Sequence, residues 1–224
     1  MPARRRRPSR PSAHARRPRI PGRRLTNHHN DGARMKIGIV GAGNIGKTLS
    51  RTLSAAGHDV KVANSRGPET IDPVALSTGA RAVDAADAAR DVEVVILSMP
   101  FNRVPAFATA LSAAPADAVV IDTSNYYPLR DDRIEAIDDG EVESVWLAQQ
   151  IGRPVIKAWN AIGSASLAEK GAPAGTPGRI AIPVAADDAD ARKLGMMLVD
   201  QTGFDGFDAG PLSESWRRQP GGPC

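Results

Sequence analysis

Cysteine is almost missing from this 224-residue sequence: Cys224, the last residue, is the only one. A single thiol excludes a disulfide scaffold and any cysteine-built zinc site. Its terminal place also excludes a four-residue prenylation box. No apolar run approaches the roughly 20 residues that span a bilayer, which predicts a soluble, cytoplasmic protein with no membrane partner. Histidine is scarce too, with four copies, of which only His58 lies beyond residue 34. The serines and threonines near Asn125 therefore have no histidine base, so no nucleophilic triad forms. His28 and His29 read as local composition rather than metal ligands, and metal-ligand spacing is absent elsewhere. His58 is expected at the surface, in a turn.

Hydrophobic residues make up 42% of the chain, enough for a core, and charged residues 24%. The net charge of +4 averages two unlike segments. Residues 1–34 hold eleven arginines against one acid, Asp31, together with five prolines. Such a stretch cannot bury enough apolar surface to offset its ordering entropy and is expected to be disordered. Without aromatics to stack bases, the arginines predict at most weak, salt-sensitive nucleic-acid binding. The abrupt change at Met35 marks it as the expected true start. From there the body carries eighteen basic against twenty-four acidic side chains, a net −6.

Lys36–Val40 (KIGIV) is a short apolar run that predicts a strand. Gly41, Gly43 and Gly46 follow in G-x-G-x-x-G spacing, then Ile45, Leu49 and Leu53 recur at helical intervals before Gly57. Asp59–Ala63 (DVKVA) predicts the second strand. In this β-turn-α-β context the glycines form a dinucleotide fingerprint. Gly41 permits the sharp turn, Gly43 lets the backbone approach a pyrophosphate, and Gly46 allows close packing. The helix N-terminus then offers free N–H groups and partial positive charge to the anion. At the tip of the second strand stands Asn64-Ser65-Arg66, with no acid to bind a ribose diol. Ser65 and Arg66 suit a 2′-phosphate, which favours NADP(H) over NAD. A surface pair between Arg66 and Glu69 is the plainer alternative.

Further strands are predicted at Val92–Ser98, Ala118–Asp122 and Pro154–Trp159, separated by helical stretches. This predicts an α/β fold with a doubly wound, mostly parallel sheet. Ligands in such folds sit beyond the C-terminal strand ends. Met99–Phe101, Thr123–Asn125 and Lys157–Ile162 should therefore converge near Gly43. Lys157 faces either an anionic ligand or solvent. A strand at Arg179–Ala185, a helix at Asp187–Gln201, a strand at Phe204–Asp208 and a short helix near Trp216 complete the pattern. The expected organisation is a tail (1–34), an NADP-binding domain (35–160) and a small extension completing the cleft (161–224), with a homodimer as one way to close the site.

Several blocks resemble one family. MKIGIVGAGNIGKTLSRTLSAAGHDVKVANSRGPET, AWNAIGSASLAEKG, RIAIPVAADD, GFDGFDAGPLSESWR and QPGGP are similar to the NADPH-dependent coenzyme F420 reductases. That family shares its dinucleotide domain with pyrroline-5-carboxylate reductases and STEAP-type metalloreductases. The resemblance runs from Met35 to Pro223 and implies hydride exchange between NADPH and the deazaflavin ring of coenzyme F420. It implies that Gly43, Asn44 and Ile45 hold the pyrophosphate, and Ser65 and Arg66 the 2′-phosphate. Met99, Pro100 and Phe101 would line the adenosine-to-ribose path, with Asn125 among the cofactor-binding residues. Asn160 and Ile162 would lie beside the nicotinamide, and Gly210, Pro211 and Leu212 would close the deazaflavin side. Family members run on past the QPG segment, whereas this sequence stops at Cys224, so dinucleotide binding is a firmer expectation than reduction. Another acceptor (flavin, quinone, metal chelate or imine) and a non-enzymatic NADP-binding role stay open.

Overall fold

The computed structural model describes residues 34–223. The arginine-rich segment, with its expected disorder, nucleic-acid contacts and His28–His29 pair, lies outside the described residues apart from Arg34.

Six strands form one all-parallel sheet: β1 (Lys36–Val40), β2 (Asp59–Ala63), β3 (Arg81–Ala82), β4 (Val94–Leu97), β5 (Val119–Asp122) and β6 (Val155–Lys157), in the order β3-β2-β1-β4-β5-β6. The register runs Lys36 to Asp59 through Val40 to Ala63 on one side of β1, and Ile37 to Val94 through Val40 to Leu97 on the other. Strand runs such as VVIL, and VVID up to its terminal Asp122, are apolar because both faces are covered. Ile37, Ile39, Val94, Ile96, Ile121 and Ile156 pack toward one face, whereas Val40, Val95, Leu97, Val120 and Val155 pack toward the other.

Helices cover both faces. On the first face lie α1 (Asn44–Ala55), α2 (Pro73–Leu76), α8 (Ser164–Glu169) and α9 (Ala189–Gln201), with Leu49, Leu53, Leu167, Leu194 and Leu198 in the core. On the second lie α3 (Ala85–Ala88), α4 (Val104–Leu111) and α7 (Glu143–Ile151), with Ala88, Leu111 and Leu147. Two single-turn helices, α5 (Pro128–Asp131) and α6 (Glu135–Asp138), lead from β5 to α7. A separate parallel pair, β7 (Ala181–Val184) and β8 (Asp205–Asp208), flanks α9. It joins the main sheet through an antiparallel bridge between Lys157 and Ala185. The Asp188 side chain accepts from Ala191 N at 2.8 Å and caps α9, as its position before the helical pattern predicts.

The structure departs from expectation at several points. The short helix near Trp216 is a 3-10 turn, Leu212–Arg218. His58 is not a surface residue: it is 6% exposed, and its ring bridges two elements. Met35 N donates to Nδ1 at 3.1 Å, and Nε2 lies 2.8 Å from Gln201 Oε1 on α9. The turn ties the start of β1 to the end of α9, which encloses the imidazole. Lys157 does not point to solvent. It is 3% exposed and pairs with Asp122, its register partner on β5, at 2.6 Å.

Candidate functional site

A cleft of about 580 Å³ opens beyond the C-terminal ends of β1, β4, β5 and β6. Gly43, Asn44, Ile45, Met99, Pro100, Thr123, Ser124, Asn125 and Trp159–Ile162 all line it, so the four strand ends converge as the topology predicts.

The glycine turn divides its work three ways. Gly41 has φ +111°, and a Cβ there would fall 2.0 Å from Ser98 O. A Cβ on Gly46 would lie 1.8 Å from Gly41 O, so α1 rests directly on the turn. Neither position tolerates a side chain. A Cβ on Gly43, in contrast, would meet no protein atom within 4 Å. Packing does not demand glycine at position 43, whereas a ligand pressed against the backbone does. Among the described residues the amides of Asn44, Ile45 and Gly46 make no backbone hydrogen bond and no side chain caps the helix, whose first turn holds no acid. Three free N–H groups at the start of a twelve-residue helix suit a pyrophosphate. The residues present therefore fit a dinucleotide.

Ser65 and Arg66 lie outside the cleft, exposed, just beyond the end of β2. Asn64 Oδ1 accepts from Arg66 N at 2.8 Å, and Asn64 Nδ2 donates to Thr70 Oγ1 at 2.8 Å, which shapes this tip. Arg66 makes no ion pair among the described residues, and the alternative pair with Glu69 is not formed.

On the other side of the site, Asn125 and Asn160 bind each other. Asn125 Nδ2 donates to Asn160 O at 2.8 Å, and Asn160 Nδ2 donates to Asn125 Oδ1 at 3.1 Å. Asn160 Nδ2 also donates to Arg218 O at 3.1 Å. Both amide hydrogens of Asn160 are thus committed, which leaves Oδ1 as an acceptor for a ligand N–H. The preceding Trp159 holds φ +59°, a conformation uncommon for a bulky residue, and its indole donates to Thr202 Oγ1 at 3.3 Å.

Beneath this pair lies a buried charge network. Asp122 Oδ1 accepts from Ser124 N at 3.0 Å and from Ser124 Oγ at 2.6 Å, while Lys157 Nζ donates to Asp122 and to Ser124 O. Ser124 is gripped from both ends, which fixes the loop that carries Asn125. Glu143, also buried, accepts from Tyr126 N at 3.2 Å, and burial pushes its carboxyl up despite the attraction of Lys157. An acid raised in the folded state stabilises the fold at low pH, and that stability is lost as pH rises above the ordinary glutamate range. Glu143→Gln keeps the acceptor for Tyr126 and should flatten this fall in urea-unfolding free energies measured across that window. An unchanged slope would assign it to other carboxylates.

Some expected residues are elsewhere. Phe101 does not line the cleft: the 3-10 turn Phe101–Arg103 swings its ring inward to full burial, 5.4 Å from the Trp146 ring and 5.9 Å from that of Tyr126. Gly210, Pro211 and Leu212 do not border the cleft either. Leu212 is buried in the second core, and its N–H donates to Asp187 Oδ1 at 3.0 Å, which holds this segment against the start of α9. Sequence reading missed Tyr127, Arg130, Gly163 and Ser164, all in the lining. Extending each strand-end segment by a few residues would have included them.

Comparison with known proteins agrees with this fold. Residues 36–126 match the family model described as NADP oxidoreductase, coenzyme F420-dependent. The YjhV protein of Escherichia coli (strain K12) is 48% identical over 48 residues, 21% of this chain and 35% of that protein. The match thus spans about a third of the curated relative. Among solved structures, hypothetical protein SMa0349 from Sinorhizobium meliloti is similar with TM-score 0.71 and 29% identity, covering 84% of this chain and 91% of that one. A candidate F420-dependent NADP-reductase from Arthrobacter sp. FB24 shares the fold, with TM-score 0.61 and 21% identity over 81% and 87% of the two chains. The fold is the Rossmann-type α/β fold of these neighbours, and over residues 36–126 the chain is similar to the NADP oxidoreductase, coenzyme F420-dependent family.

Proposed function

We propose that this protein is an NADP-dependent oxidoreductase that exchanges a hydride between NADPH and the deazaflavin ring of coenzyme F420. The observation that carries the dinucleotide half is Gly43, whose missing side chain no protein contact explains, set beside three unpaired helix amides. In this reading the Asn44, Ile45 and Gly46 amides hold the pyrophosphate, and Ser65 and Arg66 grasp the 2′-phosphate. Met99 and Pro100 wall the path between them. The bound nicotinamide supplies the hydride. Asn160 Oδ1, aimed by Asn125 and Arg218 O, accepts from its carboxamide, and Ile162 presses on the ring. No carboxylate, imidazole, thiol or ammonium group lines the cleft among the described residues. Hydride transfer between two aligned rings rests on proximity and orientation and needs no such group. The reading includes a cytoplasmic homodimer, which sedimentation of the purified protein would test.

The F420 half rests on the family likeness. A different acceptor is favoured by one feature: Gly210–Leu212, expected over a deazaflavin, stand away from the cleft. Mixing protein, NADPH and oxidised coenzyme F420 and following the deazaflavin absorbance decides between them. Bleaching supports F420, NADPH oxidation only with a flavin, quinone or imine supports the second reading, and binding without any turnover supports a non-enzymatic NADP-binding role.

Arg66→Ala tests the phosphate site. Loss of a charge-assisted hydrogen bond costs about 1.5–3 kcal/mol, so NADPH should dissociate roughly 10- to 100-fold more readily. NADH, which lacks the extra phosphate, should change little. Equal loss for both nucleotides in calorimetry would remove Arg66 from the site.

A further inference from the structure

Arg130 is the one charged side chain among the described residues that line the cleft. Its guanidinium is held in place before any ligand arrives. Nε and Nη2 donate to the two carboxylate oxygens of Asp131 at 2.9 and 2.6 Å, and Nη2 also donates to Asn125 O at 2.6 Å. The plane lies over the Tyr127 ring, 4.9 Å from its centre. Nη1 makes no hydrogen bond among the described residues, and the side chain is 47% exposed. The Asp131 carboxylate is fully buried behind it and so presents no negative charge to the opening. Burial alone would push that carboxyl up, yet Arg130 and the Tyr127 amide hold it below its ordinary value, so the pair stays ionised. The exposed charges next along the chain are Asp132 and Arg133, of opposite sign, and Arg133 is engaged with Asp138 at 2.9 Å.

A planar cation with two nitrogens anchored and the third free is arranged to receive an oxyanion. The dinucleotide's phosphates already have the α1 amides and the β2 tip. We propose that Arg130 binds a carboxylate or phosphate carried by the hydride acceptor, with Tyr127 beneath the guanidinium keeping it flat. This inference rests on the reading of the cleft as an NADP-dependent reductase site, and it selects acceptors with an acidic substituent over neutral ones.

The test uses two matched pairs: flavin mononucleotide against riboflavin, and coenzyme F420 against the same deazaflavin stripped of its phosphate-bearing tail. Affinities are measured by calorimetry on protein with and without saturating NADP+, and NADPH affinity is measured separately. The wild type should favour the phosphate-bearing member of at least one pair by about tenfold or more. Arg130→Gln should erase that preference while leaving NADPH affinity within about threefold. This variant strands the Asp131 carboxylate, so the double variant R130Q/D131N, which removes that charge, is read alongside it by thermal melting. No preference in either pair, or a preference that survives in a folded variant, overturns the proposal. So does a parallel loss of NADPH affinity in the folded double variant, because Arg130 would then serve the dinucleotide. Wild-type protein that prefers the anionic members yet binds no NADPH keeps the Arg130 assignment and removes the reductase reading, so the two fail separately.

Discussion

Lys157→Met should destabilise the fold by about 3–5 kcal/mol, because it leaves the carboxylate of Asp122 buried without its cation. Asp122 is fully buried and Lys157 is 3% exposed, so water cannot replace the lost partner. The two Ser124 donors soften the loss without cancelling a whole charge. The expected cure is a second substitution: Asp122→Asn with Lys157→Met turns the pair into neutral groups, and a paired charge is often no better than well-packed neutral side chains. Urea titrations of the wild type, the single variant and the double variant measure this. A double variant as unstable as the single one would show that the lysine acts through packing rather than charge. The same experiment reaches the cleft, because Lys157 also holds Ser124 O. NADPH binding by the rescued double variant should be weaker than the wild type if the ammonium sets the Asn125 loop.

The second large effect separates two glycines three residues apart. Gly46→Ala forces a methyl to within 1.8 Å of Gly41 O, a backbone atom that cannot step aside. Overpacking of this kind costs about 1–3 kcal/mol or more, and an immovable carbonyl puts it at the upper end. Gly43→Ala meets open space at φ −71°, an ordinary value for alanine. Alanine is a poorer N-cap than glycine, so a stability loss of about 1 kcal/mol or less is expected. Its methyl instead occupies the approach to the helix amides, and NADPH affinity should fall by at least about 30-fold. Thermal melts and calorimetry on both variants give the crossed result: one stable and blind to the nucleotide, the other unstable. If Gly43→Ala binds NADPH like the wild type, the ligand does not lie against that turn.

Much of this architecture was legible in the residues. Runs such as KIGIV, VVIL and VVID fall on strands because a parallel sheet covered on both faces asks for apolar stretches, with charge confined to the ends of the run. The glycine turn was legible because each role is a matter of space. Strand β3 was not, for two residues contain no period to read. Neither were the single-turn helices α5 and α6, whose identity depends on packing rather than composition. Lys157 was misjudged because its cause lies 35 residues away: Asp122 becomes its neighbour only when β5 pairs with β6. Phe101 was placed one residue too far into the site, since a strand-end rule does not foresee the 3-10 turn that follows Pro100. His58 met the same fate, buried by a contact with Gln201 across 143 residues. Arg130 escaped notice because its free nitrogen is defined by partners that only the folded chain supplies.

A tryptophan stands beside the cleft. Trp159 is 1% exposed, holds an unusual backbone conformation, and borders the cleft proposed for the dinucleotide. Tryptophan emits in the band that a reduced nicotinamide absorbs, so the molecule carries a built-in optical gauge of its own occupancy. Light taken up by that ring would pass to the nucleotide, and loading could be followed in real time without attaching a dye.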